Sequence, residues 1–216
     1  MGANKIRELN GIPQPRLSWL NLDANRIKSC ADFNGHDNLL TLILSNNKLA
    51  NCAGLAAMPK LIELNLTGNA ITSLSELRGL GNLKRLEVGK NKLANFDNFP
   101  QLPELEYFDA SENAIEANGE KELAKLGECE KLTTLIMAGC PWVDEKGDEF
   151  KKEVLIALEH LSIVQVNDME PVTAEEKTEA KNEKAEREKA RLEAEEEARK
   201  AAEEAANNPP EEEGQE

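Results

Sequence analysis

Histidine is scarce in this sequence, with two residues in 216, and neither stands in an H-E-x-x-H or comparable metal-and-base pattern. There is no Walker loop to cradle phosphates and no G-x-S-x-G elbow to present a nucleophile. No enzyme activity, metal, cofactor or small-molecule substrate is therefore expected. Long apolar runs are missing too. No stretch approaches the ~18–20 residues that cross a bilayer, so a membrane partner is not expected. Positive charge is in deficit: 26 Lys and Arg face 41 Asp and Glu, a formal net charge of −15. Such a chain is repelled by phosphate backbones and anionic lipid, which leaves other proteins, basic or mixed in charge, as the expected partners rather than nucleic acid. The four cysteines are scattered. The opening "MGANKIREL" lacks the apolar core of a signal peptide, and Ile6 stands where a myristoylation pattern wants Ser or Thr. A reducing, intracellular compartment is the expectation.

What the sequence does have is a repeat. Leu17, Leu20, Leu22, Asn25 and Ile27 recur 22 residues on as Leu39, Leu42, Leu44, Asn47 and Leu49. The set returns as Leu61, Leu64, Leu66, Asn69, Ile71, then as Leu83, Leu86, Val88, Asn91, Leu93, and again as Leu105, Phe108, Ala110, Asn113, Ile115. A sixth copy starts 27 residues later with Leu132, Leu135, Met137, Cys140 and Trp142. This is the L-x-x-L-x-L-x-x-[NC]-x-[LI] signature of leucine-rich repeats. Alternation about the second and third leucines predicts a short strand with those leucines inward. The asparagine turns the chain and can satisfy backbone groups that the turn leaves unpaired. Cys30 and Phe33, Cys52 and Leu55, Leu74 and Leu77, Phe96 and Phe99 are expected to cover the convex side. The expected fold is α/β: a right-handed leucine-rich-repeat solenoid of six repeats with a parallel concave sheet, a C-terminal cap helix, and then a long charged single helix.

The fifth repeat is lengthened by "EANGEKELAKLGECEKL", where Leu123 and Leu126 sit at helical spacing and predict a helix. An array end exposes an apolar edge that must be covered. Phe150, Val154, Ala157, Leu158 and Leu161 fall at helical spacing, followed by Ile163, Val164 and Val166 as a short extended piece. They resemble the C-terminal cap of intracellular leucine-rich-repeat proteins, with Val166-Asn167 where Leu-Asp is usual. The expected divisions are a capped repeat domain over 1–170 (cap about 144–170), a charged helical arm over 171–208 and a disordered acidic tail over 209–216. Thr173 to Glu176 reads as a capping box. Beyond it nearly every residue to Ala206 is Ala, Glu, Lys or Arg, with Glu183–Arg187 among the pairs at i,i+4. Leu192 is the one large apolar residue, so no heptad seam exists. The arm is expected either to be solvated or to lie along a neighbouring subunit, reaching roughly 50 Å.

Register accounts for the residues that first look chemical. Cys30 and Cys52 share a core column, Cys129 occupies another, and Cys140 takes the sixth ladder position, so all four are expected as small buried hydrophobes. Neighbouring coils lie close enough for a Cys30–Cys52 disulfide, which a reducing compartment argues against. His36 is expected at a coil edge and His160 exposed on the cap helix. What remains is the concave face. One outward column runs Trp19, Thr41, Glu63, Arg85, Tyr107, Thr134, and the next Asn21, Ile43, Asn65, Glu87, Asp109, Ile136. Large exposed groups among polar ones are how interfaces concentrate binding energy. Trp19, Asn21, Ile43, Glu63, Arg85, Glu87, Tyr107 and Asp109 are the predicted partner-binding residues.

Three segments resemble the ciliary radial-spoke leucine-rich repeat-containing protein twenty-three family. "GIPQPRLSWLNLDANRI" (11–27) is similar to one of its repeats. "ELAKLGECEKLTTLIMAGCP" (122–141) is similar to its long penultimate repeat, and "EPVTAEEKTEAKNEKAERE" (170–188) to its glutamate-rich helix after the cap. The resemblance implies a scaffold in the cytoskeleton of a cilium or flagellum that helps to build or anchor a radial spoke on doublet microtubules, with other spoke subunits as partners. The axonemal outer-arm dynein light chain, acidic nuclear leucine-rich phosphoproteins and the spliceosomal leucine-rich adapter are alternatives of similar pattern.

Overall fold

The computed structural model of the chain describes residues 4–116, 119–163, 165–167 and 170–207; the acidic tail expected over 209–216 lies outside them, as does Val164. Six three-residue strands follow the repeat: β1 (Trp19–Asn21), β2 (Thr41–Ile43), β3 (Glu63–Asn65), β4 (Arg85–Glu87), β5 (Tyr107–Asp109) and β6 (Thr134–Ile136). A seventh, β7 (Gln165–Val166), is the extended piece of the cap. They form one parallel sheet in sequence order. Because the period is constant, each strand meets the next without slip: Leu20, Leu42, Leu64, Leu86, Phe108, Leu135 and Val166 are successive register partners. From Leu42 onward this column is buried, and the leucines flanking it join the same continuous core.

The asparagines do what their position asks. The Asn47 amide donates to the carbonyls of Leu44 and Ser45 in its own turn and of Leu22 in the coil before, while its Oδ1 accepts the Ile27 N–H. Asn69, Asn91 and Asn113 repeat this across successive coils. Asn25 does the same at the first turn: its Oδ1 takes the N–H of Ile6, and its amide donates to the carbonyls of Leu22 and Asp23. At the sixth position the Cys140 thiol donates to the Ala110 carbonyl at 3.3 Å. The ladder gains a member that the sequence pattern missed: Asn167, at φ +52°, accepts the Met137 N–H at 2.7 Å.

On the convex side the phenylalanines of the fourth and fifth coils form one edge-on cluster. Phe96, Phe99 and Phe108 have ring centroids 5.3–5.8 Å apart; Phe99 is half-buried and the other two are buried. The predicted helix in the long repeat forms as α1 (Gly119–Ala124) and runs into a tighter turn at Lys125–Glu128. Pro141 opens α2 (Pro141–Lys146) at a position where its missing N–H costs nothing. Trp142 on that helix is buried and packs edge-on to Phe150 at 5.3 Å. Phe150 starts the cap helix α3 (Phe150–Ala157).

The long helix forms as α4 (Ala174–Asn207), 34 residues. Its predicted capping box is complete: Thr173 Oγ1 accepts the Glu176 N–H, and Glu176 Oε2 accepts the Thr173 N–H. Neither of the two expected dispositions describes its first half, which lies on the cap helix of its own domain. Glu176, Ala180, Glu183, Lys184 and Arg187 make one helical stripe facing α3. Lys151 pairs with Glu176 at 2.7 Å, Lys152 with Glu183 at 3.0 Å, and Lys184 with Glu159 at 2.8 Å. Arg187 grips both oxygens of Glu153 at 2.9 and 3.0 Å. Ala180 is the buried apolar contact. The side chains of Glu188 through Glu203 are all exposed. The part of α4 beyond Arg187, about 30 Å of helix rather than 50, is what projects.

Glu153 shows how far this docking is ionic. It is 2% exposed and sits between Arg187 and Lys146. The Arg187 hydrogen bonds hold its carboxyl below the ordinary value of 4.5, against the opposing effect of burial. The paired carboxylates of Glu159, Glu176 and Glu183 are lowered as well, chiefly by their lysine and arginine partners. A carboxylate depressed in the docked state contributes stability that is complete above its ordinary value and lost as pH falls through the depressed one. The arm should therefore stay docked at neutral pH and peel from α3 below about pH 4. Amide exchange over 174–187 should rise there ahead of exchange in the sheet, and Arg187→Ala should give the same selective rise at pH 7.

Candidate functional site: the concave sheet face

Alternation along each strand sends its first and third residues to the concave side, and the 22-residue register lines them up across the sheet. The predicted first column runs Trp19, Thr41, Glu63, Arg85, Tyr107 as register partners, and the second Asn21, Ile43, Asn65, Glu87, Asp109. Trp19 is 54% exposed at the edge of the sheet. Glu63 is exposed, and Asn21, Ile43, Arg85, Glu87, Tyr107 and Asp109 are half-buried. The columns end earlier than expected. Thr134 and Ile136 of β6 are buried, where β7 adds a strand with Gln165 opposite Thr134.

The middle of the face is a connected polar cluster. The Arg85 guanidinium stacks over the Tyr107 ring at 3.6 Å and its Nε donates to Glu87 Oε1 at 2.5 Å. Glu87 Oε2 accepts from the Asn65 amide. Burial, and next the Asp109 carboxylate, push the Tyr107 phenol up from its ordinary value. Thr41 donates to Glu63 Oε2 at 3.3 Å. Trp19, four strands from Tyr107, belongs to a separate apolar end with Ile43. Asp23 on the rim was not among the predicted residues. Its carboxylate accepts from Ser45 Oγ at 2.6 Å and from the Asn46 amide, and these bonds hold it below its ordinary value.

The four thiols are free and buried. Burial pushes Cys30 and Cys52 up to about 12 and Cys129 to about 11, and raises Cys140 too. A thiol that does not ionise at neutral pH is a poor nucleophile, so maleimide should label none of the four in the folded chain and all of them in guanidinium. His36 is buried at the coil edge; its Nδ1 accepts the Asn38 N–H, so Nε2 donates to the Gln14 carbonyl at 2.9 Å. His160 is exposed, with Nε2 3.0 Å from the Gly127 carbonyl. Among the described residues no group of His, Cys, Asp and Glu is placed to hold a metal ion, and no helix is long and apolar enough to cross a membrane. A hollow of about 880 Å³ is lined by Arg78, Asn98, Phe99, Gln101 and Glu128.

Comparison with known proteins agrees with this geometry. The family model described as Leucine Rich repeats (2 copies) matches residues 37–79 and 59–101. Comparison with curated proteins gave no match. Among solved structures, the chain superposes on an internalin from Listeria monocytogenes with a TM-score of 0.52 and 20% identity, over 69% of this chain and 47% of that one. A leucine-rich-repeat protein of Leptospira interrogans gives 0.53 and 23%, over 69% and 37%. TLR13, in a complex with ssRNA13, gives 0.54 and 20%, over 69% and 22%. The chain thus spans less than half the length of each. The fold is a leucine-rich-repeat solenoid, and residues 37–101 within it match the leucine-rich-repeat family model.

Proposed function

We propose that this protein is a non-enzymatic interaction scaffold that holds other proteins on its concave sheet face and on the projecting part of its charged arm. Leucine-rich-repeat proteins typically mediate protein–protein contacts. The observation that carries the reading is the concave face itself: an exposed tryptophan at one end and an Arg85–Tyr107–Glu87 cluster at the other. Aromatic and arginine anchors ringed by polar groups are the composition of binding hot spots. For its place in the cell, the resemblance of 11–27, 122–141 and 170–188 to the radial-spoke family supports an assembly role in the ciliary or flagellar axoneme. Imaging a tagged full-length copy in ciliated cells tests that placement. Signal along the axoneme is expected. Diffuse nuclear signal would overturn it in favour of an adapter of the nuclear or spliceosomal type, and axonemal signal lost together with the outer dynein arms would reassign it to a motor-binding role.

A further inference from the structure

The charges on the concave face are unbalanced. Glu63 and Arg85 stand opposite each other in the register of β3 and β4, a placement in which opposite charges ordinarily pair across strands. Here they do not. The Arg85 guanidinium lies over Tyr107 of β5 and bonds Glu87 of its own strand. Glu63 is left exposed, with a 3.3 Å bond from Thr41 as its described polar contact. Between these strands lies a dimple of about 70 Å³ lined by Thr41, Ile43, Glu63, Asn65, Arg85 and Glu87. Among the described residues, Glu63, Glu87 and Asp109 on the strands and Asp23 beside them face one guanidinium, Arg85, while the flanking Lys84 and Lys90 are paired with Glu106 and Glu112, in a chain of net charge −15.

Resting on the scaffold reading above, we propose that the occupant of the concave face is a basic protein segment. A Lys or Arg of that segment enters the dimple against Glu63, and an apolar side chain of it covers Ile43 and Trp19. Two strand intervals separate Trp19 from Glu63, so the two partner groups stand about 10 Å apart. That is about seven residues along a helix and about three along an extended chain. Complementary charge fixes register and speeds encounter, while the apolar contact supplies affinity. The tyrosine stack holds the protein's own arginine away from Glu63, which keeps the carboxylate available to the incoming cation.

The test uses the full chain and a displayed library of random peptides of about 13 residues, enough as a helix to cross β1 to β5. The expected selection is enriched in peptides that carry Lys or Arg at the stated distance from an aliphatic or aromatic residue. Their affinity should fall at least tenfold with Glu63→Lys and about threefold with Glu63→Gln, weaken with added salt, and be unchanged by Glu145→Lys on the distant surface. Peptides that Trp19→Ala weakens but Glu63→Lys does not would overturn the basic partner and leave the concave face as the site. Selected peptides indifferent to both substitutions would overturn the site as well. Acidic peptides, or an empty selection, would overturn the proposal.

Discussion

Phe108→Ala should lower the unfolding free energy by about 3–5 kcal/mol, read by guanidinium denaturation. Phe108 is the point where the sheet and the convex side meet. Its ring is fully buried and stands edge-on to Phe96 at 5.5 Å and Phe99 at 5.3 Å. Its backbone carries the register between Leu86 and Leu135. Truncation removes the transfer energy of the ring and leaves a cavity that its neighbours cannot fill, because the same strand geometry pins them on both sides. A volume-conserving change should be far milder, with Phe108→Leu costing about 1–1.5 kcal/mol. Coils bury only one another's edges, so the loss should spread along the array as reduced cooperativity rather than stay in one coil.

Gly54→Ala should be nearly as costly, about 3 kcal/mol or more, although it adds a single methyl group. Gly54 has φ +82°, where a side chain is strained, and a Cβ there would lie 1.8 Å from the backbone carbonyl oxygen of Cys30 in the preceding coil. A backbone obstacle cannot rotate away as a side chain can. The two coils would have to separate, opening the Cys30–Cys52 column that lies beside the contact. Gly81→Ala supplies the control: its Cβ would meet nothing within 4 Å, and the change should be neutral to within about 0.5 kcal/mol.

The contrast between those two glycines shows what the amino-acid pattern conveys and what it does not. The ladder is legible because a fixed period converts directly into register. Once Leu20, Leu42 and Leu64 align, the outward columns align with them, and the concave residues follow from the spacing alone. The capping box at Thr173 is legible because its two bonds join residues three apart. Interactions without a period escape. Glu153 and Arg187 are 34 residues apart, and the stripe that docks α4 holds one apolar residue, Ala180, so no amphipathic signal marks it. Asn167 reads as a departure from a cap pattern, yet it serves Met137. Arg85 can be placed beside Glu63 by register, but that it turns to Tyr107 instead is a choice among rotamers that sequence does not record.

The central claim, that the concave face is the binding surface, is tested most directly by titrating the basic peptides selected on the parent chain against that chain and against the folded Trp19→Ala, Tyr107→Ala double variant. Neither side chain belongs to the buried core, so the variant should stay folded, which a thermal melt checks. The account predicts that its binding weakens by more than about 2 kcal/mol, roughly thirtyfold in Kd. A folded double variant that binds as tightly as the parent would contradict it.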